Sequence, residues 1–168
     1  SPGTLNGRVE TKEIVIVKND DVYQVDSLLF VSFNDSERTE LTLESDLLSM
    51  FYQGTVKPEE ISKSLVSHLN RYFRITEDTI QPDVKGKFEL IVDIKSSVLL
   101  TEVLLPGLEK LDPGTITATY NGSDGTLDVN GNIPLINYQG NSVKNLQLDI
   151  SSSNSNISSS LGIQQLES

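Results

Sequence analysis

The sequence predicts a mainly β protein with one or two helices (α+β), built as an antiparallel, curved or half-open sheet with an amphipathic helix packed on it. The first observation is period-2 alternation of apolar residues, which is typical of strands. The second is turn chemistry at roughly 8–12-residue spacing. The third is a single stretch, at about residues 58–73, whose apolar residues are spaced as on a helix.

The clearest strand lies near the middle of the chain, where Phe88, Leu90, Val92 and Ile94 alternate with other residues. Side chains alternate across a strand, so these four share one face. The segments TITATY and TLDVNG continue the pattern, with Asn121-Gly122 and Asp124-Gly125 marking a hairpin turn between them. The predicted apolar face comprises Phe88, Leu90, Val92, Ile94, Ile116, Ala118, Tyr120, Leu127 and Val129.

The predicted helix begins at Pro58, which suits a first helical position, and its first turn carries Glu59 and Glu60 at the positive end of the dipole. Arg71 and Arg74 lie at the other end. We expect its packing face to be Ile61, Leu65, Leu69, Tyr72 and Phe73. A second, shorter helix is predicted over Val98–Leu104, ended by Pro106-Gly107.

The chain is expected to form one β-rich module over residues 1–168, with strands in 1–57, the helix in 58–74 and further strands in 86–150. Residues 151–168 are predicted to be a polar edge strand or a tail, because seven of the ten residues from 151 to 160 are Ser. The sequence begins at Ser1 and shows no targeting segment, so we expect a slice of a longer chain.

Composition argues against several classes of protein. The net charge is −11, from 13 basic and 24 acidic residues, and no basic stripe is present to neutralise phosphates, so no nucleic-acid partner is expected. The absence of Cys argues against a disulfide scaffold. No apolar run is long enough for a transmembrane helix.

No catalytic or cofactor-binding motif is recognisable, so we expect neither an enzyme nor a cofactor. The only His is His68, which falls beside the apolar face of the predicted helix, and no Cys is available as a nucleophile. The loop Asn121–Asn132, with Asp124 and Asp128, is rich in oxygen ligands but lacks the EF-hand spacing, so no metal site is predicted.

The predicted apolar face has two interpretations. It is either an open groove for acyl chains or unfolded strands, or a closed core covered by the helix at 58–73. A third hypothesis, a carbohydrate-active sandwich, needs two carboxylates converging in a cleft.

The segment from Phe88 to Asp149 carries a family resemblance. Its pieces are SVLLTEVLLPGL from Ser97 to Leu108, then GTITATY, LDVNGNIPLINYQG and VKNLQLDI. Together with the preceding strand pair and amphipathic helix, these pieces resemble segments of the TamB/AsmA-like envelope proteins of the Bacteroidota type, over roughly residues 25–150.

The resemblance implies a periplasmic interior fragment of a long protein anchored in the inner membrane. It implies a half-open β-structure with an apolar inner groove, and a role in assembly of outer-membrane proteins or in phospholipid transport. The implied partners, reached through the full-length chain, are phospholipid acyl chains or outer-membrane proteins, and the family brings no catalytic residues with it.

Overall fold

The computed structural model describes residues 6–35, 37–73, 85–95, 98–105, 107–153 and 155–167. They form one sheet with helical segments between its strands. The helical segments are a 3₁₀ turn, Pro58–Glu60, continued by helix α1, Ile61–Leu69, and a π-helix, Leu100–Leu104. The strands are β1 Gly7–Lys18, β2 Asp21–Asn34, β3 Thr39–Ser45, β4 Leu48–Gly54, β5 Lys87–Ile94, β6 Leu108–Leu111, β7 Gly114–Asn121, β8 Thr126–Tyr138, β9 Asn141–Ser152, β10 Ile157–Gly162 and β11 Gln165–Glu167.

The sheet is an antiparallel meander. Its strand order is β1-β2-β3-β4-β5-β7-β8-β9-β10, while β6 pairs with β8 and β11 pairs with β9. The sheet is open, because this path runs from β1 to β10 without closing on itself. The predicted fold class, mainly β and antiparallel with a helix, is therefore confirmed.

Helix α1 and the π-helix pack against the same face of the sheet, which we call the inner face. Ile61, Leu65 and Leu69 of α1 lie against a buried cluster that includes Tyr52 and Phe88. Leu100 of the π-helix is buried with Leu108 and Leu111, against Ile94 and Ile133. Phe88 and Ile94 are at opposite ends of β5, so the two helical segments cover opposite ends of the strands.

Alternation changes phase at two places where a non-glycine residue inside a strand has positive φ. These are Glu13 in β1, at 55°, and Asn145 in β9, at 52°. The pairing register continues on both sides, with Lys12 opposite Ser27 and Ile14 opposite Val25. In β2 the buried residue before the phase change is Val25, at an odd position, and the buried residue after it is Ser32, at an even position. The backbone turn thus keeps apolar residues on the inner face.

The predicted helix over 58–73 is shorter in the structure. α1 ends at Leu69, and the amides of Arg71 and Tyr72 bond to carbonyls only three residues back, those of His68 and Leu69. This tighter turn directs Tyr72 toward β9, where its hydroxyl donates to the Ser153 carbonyl. Phe73, expected on the packing face, is 54% exposed, and Arg74 lies outside the described residues.

The second predicted helix is present mainly as the π-helix, which residues 98–99, in α-helical conformation, lead into. Its predicted stop falls partly on Pro106, which is outside the described residues. In the segment 151–168, β10 and β11 both pair with β9, so the polar end of the chain contributes strands to the sheet.

Candidate functional site

The predicted apolar face consists of residues that stand directly opposite one another on neighbouring strands. Phe88 faces Tyr120, which faces Leu127. In the next row, Leu90 faces Ala118, which faces Val129. Val92 faces Ile116 in the third row, and Ile94 begins the fourth. These predicted positions therefore form parallel rows across β5, β7 and β8.

The first row is closed. Phe88, Tyr120 and Leu127 are buried beneath α1, with Phe88 4% exposed. The Phe88 and Tyr120 rings are stacked with centroids 5.3 Å apart, and Tyr52 lies 5.9 Å from Phe88. At this end the inner face of the sheet has a conventional core covered by α1. Phe88 and Tyr120 also line a cavity of about 690 Å³, whose other lining residues are mostly polar.

His68 fastens α1 to the far side of this core. Its side chain is fully buried, and its Nε2 lies 2.7 Å from Ser152 Oγ. Ser152 Oγ accepts the Leu127 amide at 2.9 Å and donates to the Leu127 carbonyl at 3.2 Å. These bonds are all satisfied when His68 Nε2 carries the proton and donates to the hydroxyl. Nδ1 then remains a bare acceptor, and within the described chain it has no partner.

Burial lowers the pKa of His68 below its ordinary 6.5, and the charge of Arg71 lowers that pKa further. A proton on Nδ1 would introduce a buried N–H that lacks an acceptor among the described residues, which is costly. The spacing of His68 and Ser152 is that of a base and a nucleophile, but Ser152 is 7% exposed and His68 is 0% exposed. The pair is thus placed to hold α1 against β9, out of reach of a substrate.

The fourth row is covered by the π-helix. Ile94 packs with Leu100, Leu108 and Leu111, which are all buried. Glu102 of the π-helix reaches the β1–β2 hairpin, where its carboxylate accepts the Tyr23 hydroxyl at 2.7 Å and its carbonyl accepts Lys18 Nζ. The bond to Glu102 raises the pKa of Tyr23 to about 12.

Between the two covered ends lies a row that belongs to neither apolar cluster of the described chain. We call it the central row. Each residue is paired directly with the next, from one strand of the sheet path to its neighbour. Its members are Val9, Phe30, Leu43, Met50, Val92, Ile116, Gly131, Leu148 and Leu161.

The central row is apolar along its whole length and is incompletely buried. Val9 and Leu161, at its two ends, are 56% and 65% exposed, and the members between them are partly exposed. Leu90 and Ile94, two positions either side of Val92, pack against the two covered clusters. Since they are about 13 Å apart along the strand, the central row occupies a narrow strip between the covered ends.

On β2, β4 and β5 the opposite face of the sheet carries partly exposed apolar side chains, among them Val31, Phe33, Phe51 and Ile91. Across β7, β8 and β9 the same face is polar. Around β7, β8 and β9 it forms a shallow cavity of about 400 Å³, lined by Thr115, Thr117, Asn130, Gly131, Asn132, Gln147 and Asp149. Most of its lining groups are hydroxyls and amides, as expected for a solvated sheet face.

In the loop considered for calcium, the oxygen atoms bond within the protein. The Ser123 and Asp124 amides donate to Asn121 Oδ1, at 3.1 and 3.3 Å, and Asp128 accepts Ser151 Oγ at 2.6 Å. Within the described ranges, no group of three or more His, Asp or Glu residues is arranged to hold a metal ion.

Of the central row, sequence reasoning placed only Val92 and Ile116 on the predicted apolar face and missed the other members. Two of those missed, Leu43 and Met50, join Phe30 to Val92 across β3 and β4. The alternation of Leu48, Met50 and Tyr52 is the signal that could have found β4. Gly131 was missed because it has no side chain to contribute to an apolar pattern.

Two further findings bear on what the chain is. In the part of the chain that the structure describes, no helix has the length and apolar character needed to cross a membrane. This chain matches no protein-family model, no curated protein and no solved structure.

Proposed function

We propose that this chain is a non-enzymatic module of a periplasmic scaffold, and that its central row is a groove for lipid acyl chains. The observation that carries the proposal is the strip at Val92 and Ile116, which the core beneath α1 and the core beneath the π-helix leave between them. In a folded domain, partly exposed apolar side chains that are contiguous over several strands are typical of a binding surface.

An acyl chain suits this strip better than a peptide does. The side chains of the central row include no charged or hydrogen-bonding group. A bound peptide would have to satisfy its own amide and carbonyl groups, and these side chains offer no partner for them. An acyl chain has no such groups, so it gains from apolar contact without that cost.

The resemblance to the TamB/AsmA-like envelope proteins supports the same proposal. It would place the module in the periplasm, in a longer chain anchored in the inner membrane. There the module would contribute to phospholipid transport or to assembly of outer-membrane proteins. The likeness rests on the quoted strand and turn motifs.

A second candidate function is a closed structural or protein-binding β-domain without a lipid groove. The burial of Phe88, Tyr120 and Leu127 beneath α1 favours it, because this end of the inner face is a sealed core. The first candidate function requires that the central row be open to an acyl chain, whereas the second requires no such access.

The discriminating experiment labels the purified protein with a diazirine-bearing palmitic acid and maps the cross-links by mass spectrometry. We expect labelling around Val92 and Ile116. We expect Val92→Asp to abolish this labelling, because binding an acyl chain over the strip would bury an unpaired carboxylate. Ile91→Asp is the matched control. Ile91 neighbours Val92 on β5, is also partly buried and faces the other side of the sheet, so this variant should keep the labelling.

Each variant is checked for folding by circular dichroism. Met50→Gln, which keeps a side chain of similar length, tests the same strip on β4 if Val92→Asp does not fold. A wild-type protein that takes no label, or a folded Val92→Asp or Met50→Gln protein labelled like the wild type, would favour the closed domain.

A further inference from the structure

Gly131 interrupts the central row in the middle of β8. Its partners across the sheet are Ile116 on β7 and Leu148 on β9, so two aliphatic side chains flank a position that has none. Its neighbours on the same face of β8, Val129 and Ile133, pack against the two covered clusters. The missing side chain therefore falls within the strip that the clusters leave partly exposed.

The fold does not demand a glycine at this position. A Cβ at residue 131 would lie 3.5 Å from Leu148 Cβ and 3.8 Å from Ile116 Cγ1, which are ordinary contacts, and the φ of Gly131 is outside the left-handed region. Gly54 and Gly114 differ, because a Cβ there would lie 2.5 Å from the Lys87 and Asn132 carbonyl oxygens.

Glycine inside a strand weakens the strand, since it adds backbone entropy to the unfolded chain and packs no side chain. A strand glycine often marks a bulge, a tight bend, or a place where a ligand or another backbone approaches closely. The pairing of β8 with β7 and β9 keeps one register through Gly131, so this position is not a bulge. The flanking side chains, the open strip and the tolerated Cβ agree with the close approach of a ligand.

We propose that Gly131 is a specificity-determining residue of the acyl-chain groove, where the missing side chain opens a depression between Ile116 and Leu148 that receives the bound chain. The inference rests on the proposed function and adds the position that sets the depth of the groove. The occupant is an uncharged aliphatic chain, because the side chains lining the strip on either side of Gly131 are uncharged and aliphatic.

The test compares Gly131→Ala and Gly131→Leu in the same diazirine-palmitate assay, with thermal unfolding measured in parallel. Gly131→Ala should unfold at the wild-type temperature or above, because its Cβ fits and the unfolded chain loses freedom. Gly131→Leu should fold and take up at least about tenfold less label, because its side chain fills the depression. Asn130→Leu is the matched control on the exposed opposite face of the same strand and should label like the wild type.

The outcomes separate this inference from the proposed function. If Val92→Asp abolishes labelling and a folded Gly131→Leu protein labels like the wild type, the groove stands and the role of Gly131 is overturned. If the wild-type protein takes no label, the proposed function itself fails. If Gly131→Ala is destabilised as much as Gly114→Ala, the glycine serves the backbone and the inference is again overturned.

Discussion

At the scale of single residues, His68 makes the stability of this protein depend on pH. Its pKa is lowered in the folded state, mainly by burial and further by Arg71, so the folded protein favours the neutral ring. The unfolded chain takes up a proton on this ring as the pH falls through the ordinary value of 6.5. The contribution of the neutral ring is therefore complete above that pH and is lost progressively below it.

We predict that acidification from about pH 7.5 to about pH 5.5 lowers the urea midpoint of the wild type more than that of His68→Gln. The Gln side chain can still donate an N–H to Ser152, but it does not titrate. Because one proton is involved, the slopes of the free energy of unfolding against pH in the two proteins can differ by at most about 1.4 kcal/mol per pH unit. Equal slopes in the two proteins would show that His68 does not respond to pH in this way.

At the same scale, Glu13 and Asn145 show what alternation cannot predict. A positive φ is costly at Glu13, whereas Asn145 is of a residue type that tolerates it. Glu and Asn both occur inside strands and turns with ordinary φ, so neither residue by itself marks a point where a strand changes phase. Sequence analysis predicted strands within residues 1–57 and no change of phase within a strand. The phase change itself depends on contacts across the sheet, such as the Asp26 amide donating to Asp46 Oδ2 at 2.6 Å.

At the scale of elements, α1 lies across the strands it covers. It begins beside β4, where the Tyr52 hydroxyl bonds to the Val56 carbonyl, and its end is fastened to β9 through His68 and Tyr72. In the sheet path β4 and β9 are separated by β5, β7 and β8, which is about 19 Å at 4.8 Å per step. The 3₁₀ turn and α1 together have about this length.

We predict that Ser152→Ala lowers the free energy of unfolding by about 1–3 kcal/mol, because it leaves the Leu127 amide and His68 Nε2 without their buried partner. Ser151→Ala is the control: Ser151 is exposed and bonds to Asp128 on the other face, so the change should stay within about 0.5 kcal/mol. Urea unfolding measures both variants. Hydrogen exchange of the α1 amides should accelerate only in Ser152→Ala, and similar effects of the two variants would contradict the role assigned to Ser152.

The sequence predicted this helix and the apolar face, and it could not predict how they meet. Period 3.6 and Pro58 indicate α1, and period 2 places Phe88 and Val92 on one face. Whether each is covered depends on where α1 crosses the sheet, and that is set by the distant contact of His68 with Ser152. Phe88 is therefore core while Val92, four residues on, is partly exposed.

At the scale of the whole molecule, charge opposes compaction. The net charge of the sequence is −11, and the ion pairs on β1, such as Arg8–Glu10 at 2.9 Å, are exposed and contribute little. Self-repulsion destabilises a compact state and is screened by salt over about 10 Å at 0.1 M.

We predict that raising NaCl from about 0.01 M to about 0.3 M increases the melting temperature, followed by circular dichroism at neutral pH. An equal osmolarity of sucrose is the control for effects that do not involve charge. A lower melting temperature in salt would show that favourable ion pairs outweigh the repulsion.

The meander has a consequence for how the chain folds. From β1 to β4, and again from β7 to β10, each strand pairs with the strand that follows it in the chain, so hairpins can form in the order in which the residues are synthesised. α1 is different, because its fastening needs Leu127 and Ser152, which lie far along the chain. A nine-residue helix is marginal in isolation, so we expect α1 to dock only after β8 and β9 have paired. Until then Phe88 and Tyr120 are uncovered, and this interval of synthesis is when the protein is most exposed to aggregation.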